Sequence, residues 1–343
     1  MSEGVFSVVA LGAQTSIATA VPASTVFPVD AGFTGFALDR AAQSPDEDFG
    51  STSREHPGRG STGVRAATAS MPFVARFEDL QEVLASHVKT ISTPTGTASP
   101  YIWAFTFDES NSSLASALKV RTIEYGVDGS TQDEWRAVGS IVNDLQLGFD
   151  ALTAPGNAVW KGTLGWIATT REASALTGTA TAPATLETIE GHLTTLAEGD
   201  TSTAFGSLAT ATATLKQFQF NSNNYGVLRA YGGASDTATD IGRSQKGDVQ
   251  FDAIVAVSAT TKSDVHDAYA VAGSVPTERR WRIVAAGSGT KSFTIDFRCR
   301  LTAVDIGVQE GERLYQVHGA WVYDPTLAGR GTLTLVNGVA ASA

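Results

Sequence analysis

Short segments in which apolar and polar residues alternate occur along the whole chain, and this period-two pattern constrains the fold more than any other feature. Clear examples are residues 101–107, 214–220 and 293–298, which are rich in Phe and Thr. Because successive side chains of a strand point to opposite faces of a sheet, such alternation predicts strands with one buried face. The sequence therefore predicts an all-β protein with a few short helices.

Two segments have helical periodicity instead. In the first, the apolar positions on one helical face are Leu80, Val83, Leu84 and Val88. The acidic pair at 78–79 precedes them, where the helix dipole favours negative charge. In the second, the apolar positions are Val265, Ala268, Tyr269 and Ala272, with Thr261 or Ser263 as a candidate N-cap. We expect both helices to pack their apolar faces on a sheet.

The two helices stand in matching contexts, which indicates an internal repeat. Gly63 leads into the strand-like segment 64–75 and then the first helix, and Gly247 leads into segment 248–257 and then the second. An aromatic strand follows each helix, around Trp103 and then around Trp281. Two further strands close each half, at 144–150 and 160–166 in the first and at 304–308 and 315–321 in the second. We interpret this as a duplicated β-sandwich unit with a flanking helix.

The predicted boundaries follow from composition. The first unit covers residues 1–175 and the second covers 213–343, and the Thr-, Ala-, Ser- and Gly-rich stretch 176–212 is expected to be a linker or surface loop. A long polar loop at 44–62 carries acids and then bases. It is either a solvated loop or an arm that reaches a neighbouring subunit. The arm candidates are Asp46, Glu47, Asp48, Arg54 and Arg59.

The charge balance bears on possible partners. The net charge is −11, the isoelectric point is near 4.9, and the sequence has no cluster of Lys and Arg. Such a chain is poorly suited to grip nucleic acid, which requires neutralisation of phosphates. An acidic wall would instead let DNA slide past. Only 17% of the residues are charged, so small uncharged residues cover much of the surface, which suits packing against other copies of the chain.

The single cysteine, Cys299, excludes an intrachain disulfide and a multi-cysteine zinc site. Assembly in a reducing cytoplasm fits this. The apolar run 5–11 has no positive charges before it and is too short to span a bilayer. We therefore expect neither secretion nor membrane insertion.

Motifs of catalysis are weak or missing. Residues 58–63 match G-x-G-x-x-G, but a predicted strand follows them where the dinucleotide motif needs a helix. No G-x-S-x-G or Walker motif occurs, and the histidines lack metal-site spacing; they are His56, His87, His192, His266 and His318. We expect a protein that is not an enzyme and has no cofactor or metal. One alternative is a glycan-binding sandwich using the tryptophans as platforms: Trp103, Trp135, Trp160, Trp166, Trp281 and Trp321.

Several segments carry a resemblance to a known family. Residues 11–22 and 26–29 resemble the start of the major tail tube proteins of long-tailed bacteriophages of the siphovirus type. Residues 63–84, 137–168 and 215–224 are similar to later strand and helix segments of that family. The similarity runs over nearly the whole chain and consists of pattern rather than invariant residues.

The resemblance implies a β-sandwich with a flanking helix, whose strands join neighbouring subunits to close a ring with an inner β-barrel. Stacked rings form the hollow virion tail through which double-stranded DNA passes without specific binding. The duplicated unit implies a trimeric, pseudo-hexameric ring. Implied partners are further copies of the chain, the tape measure protein, the tail terminator and the distal tail protein, with assembly in the host cytoplasm.

In such a tube, acids on or near the closing strands would line the lumen and repel phosphate. The lumen candidates are Asp144, Asp150, Asp305 and Glu310. Their alternative interpretation is that of ordinary solvated acids. For the whole chain, the alternatives are another virion component, such as a neck, distal tail or capsid-surface protein, or the glycan-binding module.

Overall fold

The fold is all-β, as the alternation predicts. The computed structural model describes residues 8–30, 32–43, 61–90, 94–95, 99–107, 114–126, 133–152, 158–211, 215–229, 238–244, 246–258, 265–266, 269, 277–309 and 311–340. The strands up to residue 173 are β1 (Val8–Ala13), β2 (Thr25–Val26), β3 (Ala37–Gln43), β4 (Ser61–Val74), β5 (Lys89–Thr90), β6 (Tyr101–Thr106), β7 (Arg121–Gly126), β8 (Glu134–Asp150), β9 (Lys161–Ala168) and β10 (Thr170–Ala173).

The later strands are β11 (Thr194–Asp200), β12 (Ala209–Ala211), β13 (Leu215–Asn223), β14 (Gly226–Arg229), β15 (Asp240–Arg243), β16 (Asp248–Ala256), β17 (Arg279–Ala286), β18 (Ser292–Gln309), β19 (Glu312–Val322) and β20 (Gly331–Asn337). Two helices, α1 (Leu80–His87) and α2 (Leu114–Ala117), and two 3₁₀ turns, Gly191–Leu193 and Phe205–Ser207, complete the described elements.

Helix α1 forms where the periodicity predicts it. Its four apolar positions are all at most 2% exposed. The helix ends at Val88, whose backbone is extended. Behind it, the Arg121 guanidinium lies 2.7 Å from the carboxylate of Glu82, and both side chains are almost fully buried. This ion pair ties α1 to β7. The second predicted helix lies mostly outside the described residues, and Tyr269 is helical within them.

The strand pairing repeats along the chain, which confirms the duplicated sandwich. The pairings of the first unit are β1–β2, β1–β7, β7–β8, β8–β9, β9–β4, β4–β3 and β8–β10. Each has a counterpart in the second unit, namely β11–β12, β11–β17, β17–β18, β18–β19, β19–β16, β16–β13 and β18–β20. All of these pairs are antiparallel.

In both units one long strand belongs to both sheets of the sandwich. The first part of β8 pairs with β7 and β10, and its last part pairs with β9 and β13. Strand β18 divides in the same way. The β8–β9 register shifts between Val142 and Asp144, and the β18–β19 register shifts between Leu301 and Ala303. Because a bulge bends its strand, these shifts let one strand pass from one sheet to the other.

Two expectations about the repeat are wrong in detail. Residues 194–211 are not linker, because β11 pairs along its length with β17 and buries Leu196 in the core. The second unit therefore begins at β11, within the stretch whose small residues were taken for a loop. Nor does the strand at Trp103 correspond to the strand at Trp281. By its pairing the counterpart of β17 is β7, whereas β6 pairs with β20 and β5.

The two units share sheets and core. Strand β13 of the second unit pairs with β8 of the first, and β6 of the first unit pairs with β20 of the second. At the centre, the ring of Trp160 lies 5.2 Å from that of Phe149 in the first unit and 6.1 and 5.6 Å from those of Phe218 and Phe293 in the second. One cluster of buried residues thus continues across both units. Among the described residues, no helix is long and apolar enough to cross a membrane.

Candidate functional surface and open strand edges

Eight strands, four from each unit, lie side by side in the order β3–β4–β9–β8–β13–β16–β19–β18. One face of this sheet packs on the core. We call the other the polar sheet face; along its central and later strands it presents Asp144, Gln146, Asp150, Gln217, Gln219, Asn221, Asn223, Asp248, Gln250, Asp252, Asp305, Gln316 and His318. These residues lie on one face because alternate residues of a strand point to the same side of the sheet and directly paired residues on neighbouring strands share that side.

Three of the four lumen candidates lie on this face. Asp305 and Asp150 stand at the two ends of one cross-strand row, whose intervening members are Gln316, Ile254 and Gln217. Asp144 pairs with Asn223 and lies on the same face. Glu310 lies outside the described residues, as do all five arm candidates: Asp46, Glu47, Asp48, Arg54 and Arg59.

The polar sheet face carries an acidic group of aspartates. Asp144 is half-buried near Asp248, and its pKa is raised by burial and by that neighbouring charge, against the opposing effect of the Asn143 amide, which donates to it at 2.8 Å. Asp252 accepts a hydrogen bond from His318 on the adjacent strand. Lys161 is a basic residue of the same face. Carboxylates spread over several strands in this way give the face a negative charge that repels phosphate.

The eight-stranded sheet has an open edge at each end. Among the described residues, β3 pairs only with β4, and residues 303–309 of β18 pair only with β19. Both edges expose large apolar side chains on the core-side face. Leu38 of β3 is 44% exposed, and Ile306 and Val308 of β18 are 62% and 70% exposed. An unpaired edge with apolar side chains is a template for another strand.

Where the two units meet inside the chain, a buried polar cluster closes the junction. The Nε2 atom of His87 in α1 lies 2.9 Å from the Ser222 hydroxyl, and its Nδ1 atom lies 3.1 Å from the Val142 carbonyl oxygen. The Asn224 amide donates to the His87 carbonyl oxygen at 2.8 Å. Burial lowers the pKa of His87 to about 4, the Val142 carbonyl opposes this, and the charge of Arg243 adds to it.

Sequence reasoning missed this junction cluster. His87 and Ser222 are far apart in the sequence, and neither stands in a recognisable motif. Only the pairing of β8 with β13 brings them together. The position of His87 at the end of the predicted amphipathic helix was the one signal in the sequence. It indicated that this side chain lies near the sheet but did not identify the residue that it contacts.

Other candidate groups are structural in character. Five of the six tryptophans are at most 4% exposed: Trp103, Trp160, Trp166, Trp281 and Trp321. Trp135 is partly buried, and the Arg171 guanidinium lies 4.0 Å from its ring centroid. Buried Cys299 lies in β18, and burial raises the pKa of its thiol. Of the G-x-G-x-x-G segment, Ser61 to Gly63 begin β4 rather than a helix.

Within the described ranges, no three His, Cys, Asp or Glu side chains come together in a way that could hold a metal ion. No protein-family model matches the chain, and no curated protein matches its sequence.

Proposed function

We propose that this chain is the major tail tube subunit of a long-tailed bacteriophage, a structural virion protein whose stacked rings form the conduit for DNA. The observation that carries the proposal is the sheet that crosses both units. Its core-side face is apolar, and its polar sheet face bears Asp144, Asp150 and Asp305. A wall of this kind suits passing DNA, since like charge prevents adhesion without requiring a binding site.

Three further features support the proposal. The sequence resembles the tail tube family over nearly its whole length. The duplicated unit accounts for a ring built from three chains with six similar units, and open sheet edges are a means of joining them. The partners are then other copies of the chain, with the tape measure, tail terminator and distal tail proteins at the ends of the tube.

The alternatives differ in their support. A neck, distal tail or capsid-surface protein would share the sandwich and the open edges but form single rings rather than tubes. A glycan-binding sandwich needs exposed aromatic platforms, and five of the six tryptophans are buried in the core. That distribution favours the assembly function over sugar recognition.

Negative-stain electron microscopy of the purified, concentrated chain tests the proposal. We expect hollow tubes whose rings show threefold or pseudo-sixfold symmetry. Single closed rings would favour another virion component. A chain that stays monomeric at high concentration, in low and in high salt, would contradict the proposed function.

A further inference from the structure

The open edge of β18 has a counterpart inside the chain that is already covered. The register shifts align β8 with β18, so that Asp144 corresponds to Ala303 and Leu145 to Val304. The last part of β8 pairs on one side with β9 and on the other with β13. The corresponding part of β18 pairs with β19, the counterpart of β9, and its other side is open among the described residues.

The strand that would complete the match is β3, the counterpart of β13. Met71 of β4 pairs with the β9 residue that pairs with Leu145. Ala253 of β16 pairs in the same way with the β19 residue that pairs with Val304, so Met71 and Ala253 are equivalent. Leu38 pairs four positions before Met71, and Ser222 pairs four positions before Ala253. Leu38 therefore corresponds to Ser222, which pairs with Leu145.

We propose that residues 303–309 of β18 pair with residues 33–39 of a second copy of this chain, which are the start of β3 and the segment before it, in the register in which β8 pairs with β13 inside the chain. Leu38 of one copy then lies opposite Val304 of the next. The inference rests on the proposed function, since it takes self-assembly as given and identifies the strands that meet. Each copy contributes one open edge of each kind, so the contact is head-to-tail, the kind of interface that forms a ring when the rotation between successive copies closes.

Side-chain burial supports this pairing. Leu147 and Phe149 of β8 are 0% and 4% exposed under β13 and the surrounding core. Their counterparts Ile306 and Val308 are 62% and 70% exposed. The same positions in the repeat are thus apolar in both units and are covered only where a partner strand is present. An apolar pair this exposed on a strand edge is costly in water and stabilises association when covered.

A glycine gives a second and independent indication. At Gly148 a Cβ atom would lie 2.2 Å from the Phe218 carbonyl oxygen and 2.6 Å from the Gln219 Cα atom, so only glycine lets β13 approach. Gly307 is its counterpart, yet among the described residues a Cβ atom there would meet nothing nearer than Gln316 Nε2 at 3.6 Å. In the proposed pairing the arriving strand fills this space.

The proposed register also requires a change in the backbone of the segment before β3. Gly307 lies opposite Gly35 of the second copy, just before β3. Gly32 and Gly35 have φ angles of 109° and 84°, and the segment between them is not part of a strand. Pairing along the full length of the edge extends this segment, and glycine at positions 32 and 35 permits the change of backbone conformation. The new pairing competes with the contacts that hold the segment in the single chain, since the Phe36 amide donates to the Tyr125 hydroxyl at 3.2 Å and the Arg171 guanidinium donates to the Phe36 carbonyl oxygen at 2.7 Å.

The first experiment is cross-linking. In a chain with Leu38→Cys and Val304→Cys, directly opposed residues on adjacent strands have the Cβ separation that a disulfide needs. Cys299 is kept because it is buried. On oxidation of the assembled protein we expect covalent oligomers on a non-reducing gel. The matched control, Leu38→Cys with Val308→Cys, displaces one partner along the strand and is expected to give at least about tenfold less product, since that separation exceeds disulfide reach.

The second experiment separates folding from assembly. We expect Gly307→Val to leave the urea midpoint of the single chain unchanged and to abolish rings and tubes. Gly178→Val is the control, because a Cβ atom at that position has nothing within 4 Å, and it is expected to assemble normally. If the unmodified chain forms tubes but Gly307→Val also does and the Leu38–Val304 pair fails to cross-link, the register is wrong and the proposed function stands. If the unmodified chain never associates, both are wrong.

Discussion

At the scale of single residues, the chain holds its charged and polar groups in two different ways. Several in the core are paired, such as Arg121 with Glu82 and His87 with Ser222. Those on the polar sheet face are more exposed, and Asp305 is an example. A buried neutral histidine makes the stability of the fold depend on pH, because the unfolded chain accepts the proton more readily.

Replacing His87 with Gln tests this dependence. The pKa of His87 falls from 6.5 to about 4 on folding, so its contribution to stability is complete above pH 6.5 and is lost as the pH falls toward 4. Over that range the difference in free energy of unfolding between the unmodified chain and the variant changes by up to about 3 kcal/mol. We expect the urea midpoint of the unmodified chain to fall more steeply as the pH is lowered than that of His87→Gln.

The comparison between variants is needed because another group acts in the opposite direction. Burial raises the pKa of Asp79 to about 7, against the opposing charge of Arg76, so its contribution is lost as the pH rises through that value. Asp79 is common to both proteins and cancels in the difference. Parallel stability curves between pH 4.5 and 7.5 would show that His87 is not the group responsible.

At the scale of elements, the junction between β8 and β13 is the only place in the described chain where the polar sheet face passes from one unit to the other. Its close approach requires Gly148, and its core side is filled by Phe218 and Phe220 against Leu147 and Phe149. Among the described residues, the same strand positions in β18 have no strand in the place of β13. Variants at this junction therefore show, within one chain, how much an edge-to-edge strand contact contributes to the free energy of unfolding.

Gly148→Ala is expected to destabilise the single chain by about 3 kcal/mol, because the new methyl group overlaps the β13 backbone and forces the strands apart. Urea denaturation followed by tryptophan fluorescence measures the loss, since Trp160 lies against both units. Gly178→Ala is the control and should change stability by less than about 0.5 kcal/mol. Equal urea midpoints for Gly148→Ala and Gly178→Ala would mean that β8 and β13 can move apart without a loss of stability.

At the scale of the whole molecule, the proposed tube places the polar sheet face toward the DNA. In the proposed tube this face does not bind DNA, so its role is tested by variants that give it affinity for DNA. Because affinity for DNA depends on phosphate neutralisation, added lysines on this face should act together across several strands.

The double variant Asp150→Lys, Asp305→Lys is expected to assemble into tubes that retain short double-stranded DNA at 50 mM salt and release it at higher salt. Unmodified tubes should retain none under the same conditions. The control, Glu172→Lys with Asp200→Lys, changes charge equally at exposed positions away from the polar sheet face. Similar DNA retention by both variants would indicate that the polar sheet face does not line the lumen.

The fold class, helix α1 and the internal repeat could be predicted from the amino-acid sequence alone. These depend on local alternation and on helical spacing, which a single chain displays without knowledge of its partners. The acids at 144, 150 and 305 were named because they lie on or near the closing strands of the tube that the resemblance implies, and pairing places them on one face of the sheet.

The pairing of the strands could not be predicted and is seen only in the folded chain. The small residues at 194–211 predict a linker, because composition does not distinguish a loop from a strand that has a partner, and β17 supplies that partner. The strand at Trp103 was matched by its aromatic content, whereas hydrogen bonding assigns it to β20. Pairing between distant segments of the chain also sets the register of the strands, the His87–Ser222 contact and the open edge at Ile306. The sequence does not show which backbone groups will be hydrogen-bonded to each other, so these features could not be predicted.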